Sequence, residues 1–216
     1  MYGNCGVLYN RDLLDGKGYV EMTTIDSETS TDICNLITAK GGRYLEAQLQ
    51  GSKQEAHEGN LIILGAGDKT LFEDCRTCFK AIGDTVFYLG NVGFATKMNL
   101  VLQVIKSVSL AGLAEAFSLA DRSGIAPKDA LEVFALTNIA NPYLKRKAQF
   151  IVDMDFSNVE QPLAHIQKDT RLALHLADTL KMPLFMTSAA NEIYKHTRRL
   201  GSDSHDAASV YMRTRH

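Results

Sequence analysis

The sequence has no tryptophan and only four prolines and four cysteines in 216 residues. So few cysteines leave no disulfide framework. With no charged-then-apolar leader at the N-terminus, the expected setting is a reducing, intracellular one, without secretion. Excess positive charge is missing too: 23 Lys and Arg stand against 25 Asp and Glu. No direct nucleic-acid site is therefore expected in this chain. No run of about 18 uninterrupted apolar residues occurs, so a membrane span is not expected. The one Cys-x-x-Cys, Cys75 to Cys78, falls within a predicted helix instead of at the strand-to-helix turn that activates a redox thiol. No second pair or suitably spaced histidine completes a zinc tetrad, and no metal is expected. A Gly-x-Gly-x-x-Gly phosphate loop is also lacking. Its nearest substitutes are Gly3 to Gly6, which follows no convincing strand, and Gly65 to Gly67, where Asp68 would meet a phosphate with like charge.

What is present is a 45% hydrophobic chain, long enough for one or two domains with a sizeable core. From about residue 19 to 89, β-rich runs alternate with helical stretches, the βαβ pattern of a layered α/β sheet. The strand candidates are 19–23, 44–49, 60–64 and 85–89. A helix over 27–39 follows hydroxyl and acidic caps, and Asp68 caps another that Gly83 ends. After Gly93 apolar residues recur at helical spacing only. Helices are expected over 93–122, 127–136, 142–152, 162–180, 186–200 and 204–214, with Gly124 and Pro127 marking a stop and a start. The fold class is thus α/β followed by all-α, divided into residues 1–90 and 91–216. Ala111, Gly112, Ala114, Ala116 and Ala120 on the long helix suit close packing, either inside one subunit or between subunits.

The stretch from Gly90 to Gln103 is a glycine-marked helix start. It resembles the corresponding segment of the β-hydroxyacid dehydrogenases, G-x-x-G-x-G-x-x-x-K-x-x-x-N. Gly18 to Asp26, Gly41 to Glu46, Ile63 to Asp68, Gln167 to Asp169 with Arg171 to Leu174, and Ala189 to Lys195 also resemble family blocks, in family order. The resemblance implies the C-terminal part of a Rossmann-type domain, truncated at its N-terminus. A helical, oligomerising 6-phosphogluconate-dehydrogenase-like domain would follow. It also implies an NAD(P) cofactor, although the glycine-rich loop that would hold it is absent from this sequence. A half sheet exposes an unpaired edge, so the chain made alone is expected either to lean on a partner subunit or to be aggregation-prone.

In the family the lysine of this pattern exchanges a proton with the substrate oxygen. Here Asn99 holds that slot and Gln103 the asparagine slot; Gln50 stands where a substrate-binding serine is found. An amide is a poor proton donor, and losing a positioned acid costs about 10²- to 10⁴-fold in rate. Lys97 lies about 200° around the helix from Asn99, too far to substitute without unwinding. Other matching positions are kept. Thr24 and Lys168 correspond to cofactor contacts, and Thr23, Gly51, Ser52 and Asp169 to the substrate-like cleft. Lys168 and Asp169 equally suit an exposed ion pair. Ser52 and Lys53 suit either an anion site or a solvated loop, and His165 lies three residues before Lys168 on one helical face. Within the family the blocks most resemble a nuclear, chromatin-associated branch. That resemblance implies a nuclear location, a homo-oligomer, and nucleosome and lysine-specific histone demethylase as partners. The alternative is a working reductase of glyoxylate or succinic semialdehyde.

Overall fold

The computed structural model describes residue 6 and residues 14–215. The chain folds as two compact units, Met1–Val101 and Leu102–His216. The change from strands to helices comes earlier in the chain, so the first two turns of the long helix belong to the sheet-bearing unit.

The first unit holds β1 (Gly18–Glu21), α1 (Ser27–Thr38), β2 (Arg43–Gln50), α2 (Lys53–Glu58), β3 (Ile62–Gly67), α3 (Lys69–Asp74), α4 (Arg76–Ile82) and β4 (Thr85–Tyr88). The four strands lie in sequence order in one sheet. β1–β2 and β3–β4 are parallel, as βαβ units require, but β2–β3 is antiparallel. The connection between β2 and β3 is a single short helix. A parallel return needs a longer crossover, so the chain turns back instead. The core here is Leu45, Ala47, Ile63, Leu71, Phe72 and Phe79.

Local chemistry starts and stops these elements. Asp26 caps α1 by accepting from Thr29 N at 2.7 Å, and Asp68 caps α3 by accepting from Leu71 N at 2.7 Å. α2 begins with a capping box: Ser52 Oγ accepts from Gln54 N, and Glu55 Oε2 accepts from Ser52 N at 2.7 Å. The helix expected from Asp68 to Gly83 is broken into α3 and α4 at Cys75. Burial raises the Cys75 thiol pKa, opposite to what an activated redox cysteine needs. Among the described residues no group of three or more His, Cys, Asp or Glu could hold a metal ion.

The long helix α5 (Phe94–Arg122) continues into the second unit, which adds α6 (Pro127–Ala135), α7 (Pro142–Asp153), α8 (Leu163–Thr179), α9 (Phe185–Thr197) and α10 (Tyr211–Thr214). By length and composition alone α5 is apolar enough to cross a membrane, a test that the core helix of a two-unit chain such as this also passes. Within the second unit its Leu110, Leu113, Ala114 and Phe117 instead pack with Ile151, Leu163, Ile166, Tyr194 and Tyr211. Proline opens α6 and α7, the latter behind an Asn141 cap. α9 ends earlier than expected and passes into a π-turn, Arg198–Ser202, where Gly201 adopts φ +90°. The helix expected over 204–214 is a 3₁₀ turn, Ala207–Val210, followed by α10. Its start is held by Asp206, which accepts from Ala208 N at 2.9 Å.

The small residues of α5 divide by face. Ala111 and Ala114 are buried, whereas Gly112 and Ala116 are exposed together with Ile105 and Leu119, at 60% and 68%. Positions 105, 112, 116 and 119 recur at helical spacing, so they form one outward stripe.

Candidate active site

β2 is the strand from which the site is built. Side chains alternate along a strand, so Glu46, Gln48 and Gln50 share one face. Glu46 and Gln48 are fully buried. The Glu46 carboxylate accepts from Gly93 N at 2.8 Å and Thr96 N at 3.2 Å, and from the Ser30 hydroxyl. It thereby occupies the start of α5, where free N–H groups and the helix dipole favour an anion. A ligand phosphate finds that position already filled.

One turn further, Asn99 is 0% exposed. Its Oδ1 accepts from Gln50 Nε2, and its Nδ2 donates to Gln48 Oε1 at 3.0 Å and Thr24 Oγ1 at 3.2 Å. Gln48 Nε2 in turn donates to the Thr23 carbonyl at 3.0 Å. Four residues singled out by the sequence are thus joined in one network: Thr24 and Gln50 directly to Asn99, and Thr23 through Gln48. The network suits an amide at position 99, because that residue must both donate and accept; an ammonium only donates.

Two neighbours serve packing and capping. A Cβ on Gly51 would stand 2.5 Å from Leu61 Cδ2, so the glycine admits the Leu61 side chain. Ser52 is engaged in the α2 capping box with Glu55, whose carboxylate accepts from Ser52 N at 2.7 Å. Lys97 is exposed and lies over the Phe94 ring at 5.6 Å, away from buried Asn99. Gly65 and Gly67 do not form an open cradle. A Cβ at Gly65 would meet the Phe72 ring at 2.7 Å and one at Gly67 the Tyr44 carbonyl at 2.7 Å, while Asp68 caps α3. Of the Gly3 to Gly6 candidate, all but Gly6 lies outside the described residues.

The second unit carries Gln103, Lys168 and Asp169. Gln103 is buried. Lys168 Nζ pairs with Asp169 Oδ1 at 3.1 Å, and burial raises the Asp169 pKa against the pull of Lys168. His165 is exposed. Lys106, one turn beyond Gln103, lies over the Tyr143 ring at 5.0 Å. Burial, followed by repulsion from Lys147, brings its amine down to about 8, with Asp169, Asp206 and Glu160 opposing. The charged form is thus disfavoured in the fold relative to the unfolded chain. That penalty is complete below pH 8 and disappears as pH rises toward the unfolded lysine value. Wild type minus Lys106→Met stability is therefore expected to rise by about 1–3 kcal/mol between pH 8 and 10.5 in chemical denaturation. A flat difference would refute the assignment.

Two family models match the chain. Residues 4–90 match the NAD binding domain of 6-phosphogluconate dehydrogenase. Residues 93–213 match the NAD-binding domain of NADP-dependent 3-hydroxyisobutyrate dehydrogenase. The chain belongs to the β-hydroxyacid dehydrogenase family. Among members of this family, cytokine-like nuclear factor N-PAC of Aedes aegypti is 55% identical over 215 residues, covering 100% of this chain and 38% of that protein. N-PAC of Homo sapiens is 39% identical over 209 residues, covering 97% and 37%. The chain therefore spans well under half the length of these relatives. Solved 3-hydroxyisobutyrate dehydrogenases share the fold. The Salmonella typhimurium structure aligns with a TM-score of 0.85 at 22% identity, covering 90% of this chain and 68% of that one. The Mycobacterium tuberculosis structure with L-serine gives 0.80 at 18%, covering 92% and 70%.

Both family models are of NAD(P)-binding domains, so NAD(P) binding is supported by family; among the described residues, Gly65 and Gly67 leave no open turn for a pyrophosphate. Residue by residue, reasoning from the family slots alone misses Gln48 and Glu46. The period-2 run Glu46, Gln48, Gln50 is the signal that could have found them, since three polar residues on one face of an otherwise apolar strand need partners.

Proposed function

We propose that this chain is a catalytically impaired dehydrogenase-like module, retained for assembly in a nuclear, chromatin-linked protein. The observation that carries the reading is the buried amide network around Asn99. At the position where a proton donor is required, a neutral side chain has its amide hydrogens directed to Gln48 and Thr24 and its oxygen to Gln50. It offers neither a positive charge nor a transferable proton to a developing alkoxide. Thr24 and Lys168 remain, and residual NAD(P) binding in the full-length protein is compatible with this role.

Assembly as a homo-oligomer is supported by the outward stripe of Ile105, Gly112, Ala116 and Leu119, where small residues permit close helix approach. Nuclear location, nucleosome association and a histone demethylase partner rest on resemblance to the N-PAC proteins, which carry the name of nuclear factors. The test is reductase turnover of the full-length protein with NAD(P)H and glyoxylate or succinic semialdehyde. A rate about 10²-fold or more below active family members is expected. Equal turnover would replace this reading with that of a working reductase; cofactor binding alone would leave the impairment standing.

A further inference from the structure

The helical unit contains a concavity of about 510 Å³ between α8 and the end of α9, lined by Ala164, Gln167 and five basic side chains: His165, Lys168, Arg171, Lys195 and Arg198. We propose that it binds a small multiply charged phosphoryl anion, of which a diphosphate group is the simplest form. None of its lining residues belongs to the Asn99 network, and Lys168 is the one that also corresponds to a cofactor contact in the family.

Charge and preorganisation both favour such a ligand. Three of the cations have internal carboxylates: Lys168 with Asp169 at 3.1 Å, Lys195 with Glu192 at 2.9 Å, and Arg198 Nε with Asp203 Oδ1 at 2.5 Å. Arg171 is exposed and forms no ion pair among the described residues. A monovalent anion would only duplicate the local carboxylates. An anion with several charged oxygens can engage Arg171 while also sharing the other cations. Arg198 is already positioned for this. Its Nη1 donates to Gln167 Oε1 at 2.5 Å, and Gln167 Nε2 donates to Asn191 Oδ1 at 2.8 Å. The guanidinium has five N–H donors, so two fixed bonds leave three for a ligand, with little orientational freedom still to lose.

The first turn of α8 adds a favourable helix-dipole potential. Its leading amides are already taken, Leu163 N by the His205 carbonyl at 2.9 Å and Ala164 N by that of Asp203 at 3.1 Å. Side chains must therefore hold the anion. Apart from the His165 imidazole no aromatic ring lines the concavity, so nothing there recognises a nucleobase.

The test is calorimetric titration of the full-length protein with inorganic pyrophosphate and, separately, ADP at low ionic strength. Both are expected to bind, within threefold of one another and more weakly as salt rises. Arg171→Gln with Lys195→Gln, both exposed positions, should weaken binding at least tenfold without lowering the melting temperature. Lys128→Gln, outside the concavity, should leave it unchanged. Absence of pyrophosphate binding overturns the proposal. So does an unaffected double variant, an equal loss in the Lys128 variant, or a tenfold preference for ADP that the double variant abolishes.

Discussion

Asn99→Lys alone is expected to destabilise the first unit by about 2–4 kcal/mol and to restore no reductase activity. The buried ammonium would lose the acceptor that Gln50 Nε2 now uses and would face that donor directly. It would also carry its charge into a site where Asn99 is wholly enclosed. Adding Gln50→Ser removes the opposing donor and opens space for the longer stem. The double variant is therefore expected to recover at least about half the lost stability. It is also the variant in which a rise in turnover is expected, if cofactor binds. Thermal melts and NAD(P)H oxidation by wild type, both single variants and the double variant check this. A wild-type melting temperature for Asn99→Lys would show that the amide network does not require an amide.

The second large effect lies in the helical unit. Asp206 is fully buried and accepts from Lys147 Nζ at 2.9 and 2.8 Å, and from the backbone N–H groups of Glu160, Gln161 and Ala208 at 3.0, 3.2 and 2.9 Å. Lys147, also fully buried, reaches Glu160 Oε2 at 3.0 Å. Asp206→Ala leaves a buried ammonium short of a counterion and three N–H groups short of an acceptor. A loss of about 3–5 kcal/mol follows, a large fraction of a typical domain's stability. Lys147→Met with Asp206→Ala should cost less than the sum of the single changes, since the stranded charge is gone. Denaturant melts of the four proteins measure that coupling; strict additivity would mean the two charges do not stabilise one another.

Much of this architecture is readable along the chain. Asp68 caps the helix after β3, Pro127 and Asn141 with Pro142 start helices where expected, and the alternation of strands and helices stops near Gly93. Each signal acts within one helical turn or one strand. The site is half legible. Asn99, Gln103 and Gln50 stand out against the family's slots, while Ser52 suits either an anion site or a loop, and its capping box with Glu55 is visible only in the structure. The antiparallel β2–β3 pair is not legible, because both strands carry ordinary strand patterns and pairing direction depends on the connection between them.

The residues themselves determine that position 99 carries a neutral amide where the family pattern has a lysine. That conclusion concerns functional groups, and composition at a position is enough for it. Only the tertiary structure determines that Asn99 is not an empty slot. It meets Gln48, 51 positions away, and Thr24, 75 positions away, and its oxygen takes the hydrogen bond of Gln50. Hydrogen bonds extend about 3 Å, and chain spacing carries no information about which distant groups come that close. The same limit applies to Lys147 and Asp206, 59 positions apart, whose charges are tolerable in the interior only because folding places them together.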